Sequence, residues 1–159
     1  MVIVSKLGLM SLSYLTVQDI LWINLQLTGK VQHYQYARLE EATFYQYGYG
    51  GSQDVHAQAA RFASGFGKLH PFEAGNDATG FVALVVFLNL NGMKIKVADD
   101  AALEWFESLQ GRGAEGVKVL EATTEAHDHH GAAVRDIAGE ALGAYPKTIA
   151  SLGVVAGFK

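Results

Sequence analysis

The residues best equipped for chemistry fall in one stretch, Lys68-Leu69-His70-Pro71-Phe72-Glu73-Ala74-Gly75-Asn76-Asp77-Ala78-Thr79-Gly80, followed by an apolar run from Phe81 to Leu90 and then Asn91-Gly92. An imidazole can be neutral and basic near neutral pH, so His70 is of the type that accepts a proton. Pro71 cannot continue a helix and restricts its neighbour to extended backbone, which predicts His70 at a fixed turn and not on a helical face. Phe72 is expected to anchor that turn in the core. Gly75 and Asn76 permit bends that aim several amide N–H groups at one spot, where a helix from about 77 to 91 begins. Such a start attracts anions through unpaired amides and the macrodipole. A second group is Glu121, Glu125, His127, Asp128, His129 and His130, on a stretch predicted helical from Glu115 to about His129. On that helix Glu121, Glu125 and His129 stand four apart on one face, a spacing that offers ligands to zinc or a related metal. The plainer reading is a solvated helix end, which the negative C-terminal dipole favours for histidines.

The order of parts resembles the Fic/Doc family, and most of all its Doc (death-on-curing) branch. The pattern there reads His-Pro-Phe-x-Asp-Gly-Asn-Lys-Arg-Thr. His70, Pro71, Phe72, Gly75, Asn76 and Thr79 match it, and Ala74, Asp77 and Ala78 depart. The resemblance covers about 15–110, starting at Leu15-Thr16, and implies an all-α, Fic-like helical bundle with a central buried helix. By resemblance His70 is the general base toward a target hydroxyl, Gly75 and Asn76 bind the phosphates of the nucleotide, and Pro71 and Phe72 anchor the motif. The donor is ATP or another nucleoside triphosphate with magnesium. Fic members typically transfer a nucleotidyl group, whereas Doc resembles a kinase acting on a translation factor. The implied partners are a protein target and an antitoxin-like protein, in the cytoplasm, with a homo-oligomer also open.

The three departures fall on the groups that handle charge. Ala74 replaces the acidic magnesium ligand, with Glu73 one place early, and Asp77 and Ala78 replace two phosphate-binding cations. A charge pair 4 Å apart near a surface is worth about 4 kcal/mol before desolvation, so exchanging Lys for Asp turns a gain of that size into a penalty. Asp77 does suit the first turn of a helix. The departures imply impaired transfer, or an inactive family member without cofactor that serves as a protein-binding module. Tyr34, Tyr36, Phe44, Tyr45, Tyr47 and Tyr49 would form its docking surface, or else pack under an irregular loop. The inhibitory Ser/Thr-x-x-x-Glu motif of Fic-type proteins is absent, since no Ser or Thr has a Glu four residues later.

The elements that must position this stretch are legible from capping and periodicity. Thr16 and Asp19 begin a helix of about 16–28, with Ile20, Ile23 and Leu27 at helical spacing and Gly29 at its end. Asn24 lies where Doc-like chains often carry a His; its plain reading is a polar residue on an exposed face. Arg38 to Ala42 reads as a short helix before a flap. Asp54 caps a helix on which Val55, Ala59, Phe62, Ala63 and Phe66 recur, and which delivers the chain to His70. The helix from about 77 to 91 is apolar on nearly all sides and should be central. Met93 to Val97 alternates and suggests one short extended segment. A helix over Ala101 to Leu109 follows, with Trp105 near the rim. Ala132 to Leu142 is read as helical, and Tyr145-Pro146 opens a glycine-rich tail. Residues 131–159 form a C-terminal extension beyond the resemblance.

The 159 residues suffice for one domain with a real core. With 50% hydrophobic and 18% charged residues the chain is globular in type and not disordered. The net charge of −4 and only 12 scattered Lys and Arg argue against direct nucleic-acid binding. With no cysteine there is no disulfide framework, thiolate metal site or cysteine nucleophile. The longest apolar run is about half of the roughly 20 residues a membrane span needs. The start, broken by Lys6, lacks the form of a signal peptide.

Overall fold

A computed structural model describes residues 12–48, 53–128 and 131–153, and the chain there is all-α with one small two-stranded sheet. Helix α1 spans Val17–Thr28, α2 Tyr36–Phe44, α3 Val55–Leu69 and α4 Asn76–Leu90. Strand β1, Met93–Ile95, leads into α5, Asp99–Leu109, and α6, Ala114–Thr123; strand β2, Thr124–Ala126, precedes α7, Val134–Ala144, and α8, Pro146–Leu152. The strands are antiparallel, with Met93 opposite Ala126, Lys94 opposite Glu125 and Ile95 opposite Thr124. No helix among the described residues is long and apolar enough to cross a membrane.

Helix α4 is the centre because it has no polar face to turn outward. Asn76 and every residue from Ala78 to Leu88 are buried, and α3, α1 and α7 pack around it. Each fully buried Phe, Leu or Val contributes about 1.5–3 kcal/mol relative to exposure, so one solvated side would be costly. The Phe81 ring meets Trp105, Phe106 and Tyr145 edge-on at centroid distances of 6.4, 5.5 and 5.4 Å, joining α4 to α5 and to the start of α8. Trp105 is accordingly buried, not at the rim, and its indole N–H donates to Thr123 Oγ1.

Local signals fix the outer helices. Thr16 and Asp19 form a reciprocal capping box on α1, and Gly29 ends it in the left-handed region. Asp54 caps α3 through the amides of His56 and Ala57. Two expectations about the C-terminal part fail. The helix expected to reach His129 stops at Thr123, because Thr123 and Thr124 bond back to the Val119 and Leu120 carbonyls while Thr124 turns extended to pair with β1. Tyr145-Pro146 opens a helix and not a tail, since proline is well suited to the first helical position. Asp99 holds that helix in place by accepting the N–H groups of Lys147 and Thr148 at 2.8 and 2.9 Å.

Candidate active site

The expected site begins where α3 ends. Pro71 bars His70 from the helical conformation, yet His70 is not extended as expected: with φ 45° and ψ 62° it is left-handed, the only non-glycine of positive φ among the described residues. Histidine tolerates this region better than most residues, at an order of 1–3 kcal/mol. Neighbouring elements hold the turn. Gln35 N–H donates to Pro71 O and Glu73 N–H to His33 O, both at 2.9 Å, an antiparallel bridge that pairs Tyr34 with Phe72. Arg38 Nη1 donates to Leu69 O at 3.3 Å. The Phe72 ring is buried, as the sequence requires of an anchor.

Beyond Phe72 the loop closes on itself. Asn76 Oδ1 accepts from Phe72 N–H at 2.8 Å, and Asn76 Nδ2 donates to Phe72 O at 2.7 Å. The side chain expected at the nucleotide is thus spent inside the motif, and only the backbone at Asn76 remains for an anion. Gly75 sits at φ 82° with no side-chain cap on the helix, and a Cβ there would meet Thr28 Cγ2 at 2.7 Å. From α1, Asn24 Nδ2 donates to Ala74 O at 3.0 Å and to Thr79 Oγ1 at 3.1 Å. Asn24 is therefore buried and ties α1 to the loop, contrary to its reading as an exposed residue. Its position on the stripe of Ile20, Ile23 and Leu27 was the available signal.

His70 opens onto a cleft of about 460 Å³, shared with Lys68, Asp77, Phe106, Glu107 and Gln110. Among these charged residues one is positive and two are negative, and Lys68, Asp77 and Glu107 are all exposed. His70 Nδ1 is buried and has no hydrogen-bond partner. Among the described residues no carboxylate orients the ring, and the side chain lines the cleft while its Nδ1 is turned away from solvent. Asp77 faces this space from the first turn of α4, whereas Ala78 is fully buried and faces the core. A cation at position 78 would have to leave the interior to reach a phosphate.

The residues do not suit a magnesium ion at the position the motif reserves for one. Ala74 offers no side-chain oxygen, its carbonyl is taken by Asn24, and Glu73 is exposed and does not line the cleft. The second candidate is dismantled by the end of α6. Glu121 is exposed on the helix, Glu125 lies on β2 opposite Lys94, and their helical spacing is lost. His129 lies outside the described residues, as does Tyr49. Among the described residues no group of three or more His, Asp or Glu is arranged to hold a metal. The tyrosine-rich segment divides: Tyr36 and Phe44 are well exposed, Tyr34 and Tyr47 partly so, and Tyr45 packs on Gly65 of α3.

No curated protein and no solved structure matches this chain. Residues 14–88, from the lead into α1 through the His70 turn and most of α4, match the family model described as the Fic/DOC family.

Proposed function

We propose that the protein is a Doc-like transferase of the Fic type, which moves a phosphoryl or nucleotidyl group from a nucleoside triphosphate to a hydroxyl of a protein target in the cytoplasm, with lowered efficiency. The observation that carries this reading is the place of the His70 side chain, which lines a cleft bordered by Asp77 in the first turn of α4. In the step, the target oxygen bonds to phosphorus as the bond from phosphorus to the leaving phosphate oxygen breaks. The leaving group keeps the bonding pair, and the hydroxyl proton passes to His70. The amides that begin α4 have no intrahelical partners and are the groups suited to the charge on the transferred group. No step is assigned to a metal. Asp77 and Glu107 oppose a polyanion, which is the reason for the lowered efficiency.

The test is incubation with a panel of purified translation factors and ATP labelled at either the α or the γ phosphate. Label position separates nucleotidyl from phosphoryl transfer, and His70→Ala should lower it at least about 100-fold, as expected for loss of a general base. Equal labelling by the variant would remove His70 from the mechanism. The exposed Tyr36 and Phe44 favour a second reading, a protein-binding module without transfer. Under that reading partner capture survives His70→Ala and weakens in Phe44→Ala/Tyr47→Ala.

A further inference from the structure

A second cavity, of about 320 Å³, is enclosed by α1, by the segment that bridges to Phe72, and by Arg135 of α7. Its walls are apolar and largely aromatic, with Trp22 and Leu25 from α1 and then Val31, Tyr34 and Phe72. Its volume is at the lower end of the roughly 300–1,000 Å³ of small-molecule sites. His70 does not line it, but Phe72 stands in its wall, so the cavity adjoins the motif turn without containing the base. One polar side chain here is not used by the fold. Gln32 lines the cavity, is 8% exposed, and has no hydrogen-bond partner for its carboxamide among the described residues. The unpartnered side-chain atoms sealed from solvent are those of His70 and Gln110, so the Gln32 carboxamide is still reached, through the cavity that this residue lines. A buried amide without a partner is the exception in folded proteins, and a ligand that pairs with it removes the cost.

Arg135 is the one charged group among the described residues that line the cavity. Its guanidinium lies 5.0 Å from the centroid of the Trp22 ring, and no carboxylate among the described residues pairs with it. The ring steadies the cation, while its N–H donors stay available for a carboxylate, which a guanidinium binds in its own plane. Gln32 offers one donor group and one acceptor, the complement of an amide. Trp22, Tyr34 and Phe72 suit an aromatic ring, which packs on such walls by offset or edge contacts. We propose that this cavity binds a small aromatic carboxylic acid that carries an amide, with the carboxylate at Arg135, the ring among Trp22, Tyr34 and Phe72, and the amide at Gln32. A single cation in a space of this size does not suit a triphosphate. Arg135 lies outside residues 14–88, so the site is not one that the family match supplies, and it stands independently of the transferase reading.

The chain has two tryptophans, Trp22 in the cavity wall and Trp105 in the core, so one ¹H–¹⁵N spectrum of the full chain holds both a probe and an internal reference. N-acetylphenylalanine is the ligand added, and N-acetylphenylalaninamide is the probe lacking the carboxylate. The acid should move the Trp22 indole resonance along a saturation curve, half complete at about 1 mM, and leave Trp105 in place. The amide should bind about fivefold more weakly, and Arg135→Gln should bring the two probes to equal affinity. Gln32→Met keeps the length of the side chain without the carboxamide. It should weaken both probes about fivefold, with an unchanged or raised melting temperature, since no hydrogen bond within the described chain is lost. Equal affinity of the two probes for the unaltered protein, no saturable movement of Trp22 at millimolar acid, or a lowered melting temperature in Gln32→Met overturns the assignment. If Arg135→Gln fails to fold, the two-probe comparison on the unaltered protein still decides.

Discussion

At the scale of single residues, the motif carries two kinds of side chain, those that build the turn and those that meet the cleft. Asn76 belongs to the first kind. Asn76→Ala strips both hydrogen bonds from the buried Phe72 backbone, and should cost about 2–4 kcal/mol in urea denaturation. A loss below about 0.5 kcal/mol would mean that the turn holds without it. Asp77 belongs to the second kind, being exposed and in the cleft. Asp77→Lys should tighten ATP by about 1 kcal/mol, or fivefold, once solvent screening is allowed for. Ala78→Arg should instead destabilise the fold, because position 78 is buried. The sequence showed which motif residues were missing, but not that one missing cation points outward and the other inward. That distinction depends on how α4 is rotated against α3 and α1, which its run of apolar residues on all sides from Phe81 to Leu88 leaves undetermined.

At the scale of elements, caps and breaks written in neighbouring residues were legible, and pairings across the chain were not. The box at Thr16 and Asp19, the Asp54 cap and the Gly29 stop each depend on residues within a turn, and each was readable. The end of α6 depends on β1, some thirty residues earlier, and α8 depends on Asp99, far from it in sequence. Burial pushes the Asp99 carboxyl up, but hydrogen bonds from Lys147 and Thr148 and the Lys147 charge outweigh it, so its pKa falls below the usual 3.8. A depressed carboxylate pKa contributes stability that is full above the usual value and is lost as pH falls through the lowered one. Asp99→Asn should therefore speed hydrogen exchange at the Lys147 and Thr148 amides at pH 7. The gap to the unaltered protein should close as pH drops below about 3.8. Undiminished protection in the variant at pH 7 would show that α8 is held by packing alone.

At the scale of the whole molecule, a helix apolar over most of its length and surrounded by α1, α3 and α7 presents its first turn beside the His70 cleft. Rigid packing is what keeps that turn aligned. Phe81→Ala removes the ring shared with Trp105, Phe106 and Tyr145, and should cost about 3–5 kcal/mol by thermal or urea unfolding. The architecture was legible from hydrophobic patterning because one run of residues had to be central. The state of the site was less so, since the residues that match the Fic/Doc pattern and those that depart from it sit side by side in one short loop. The central claim is that this cleft still receives a nucleoside triphosphate. It is tested most directly by calorimetric titration of ATP, with and without magnesium, into the unaltered protein and Asp77→Lys. Saturable binding at millimolar ATP or below, tighter in Asp77→Lys, is the predicted result. No heat of binding from either protein at millimolar ATP would contradict the claim and leave the protein-binding module as the better account.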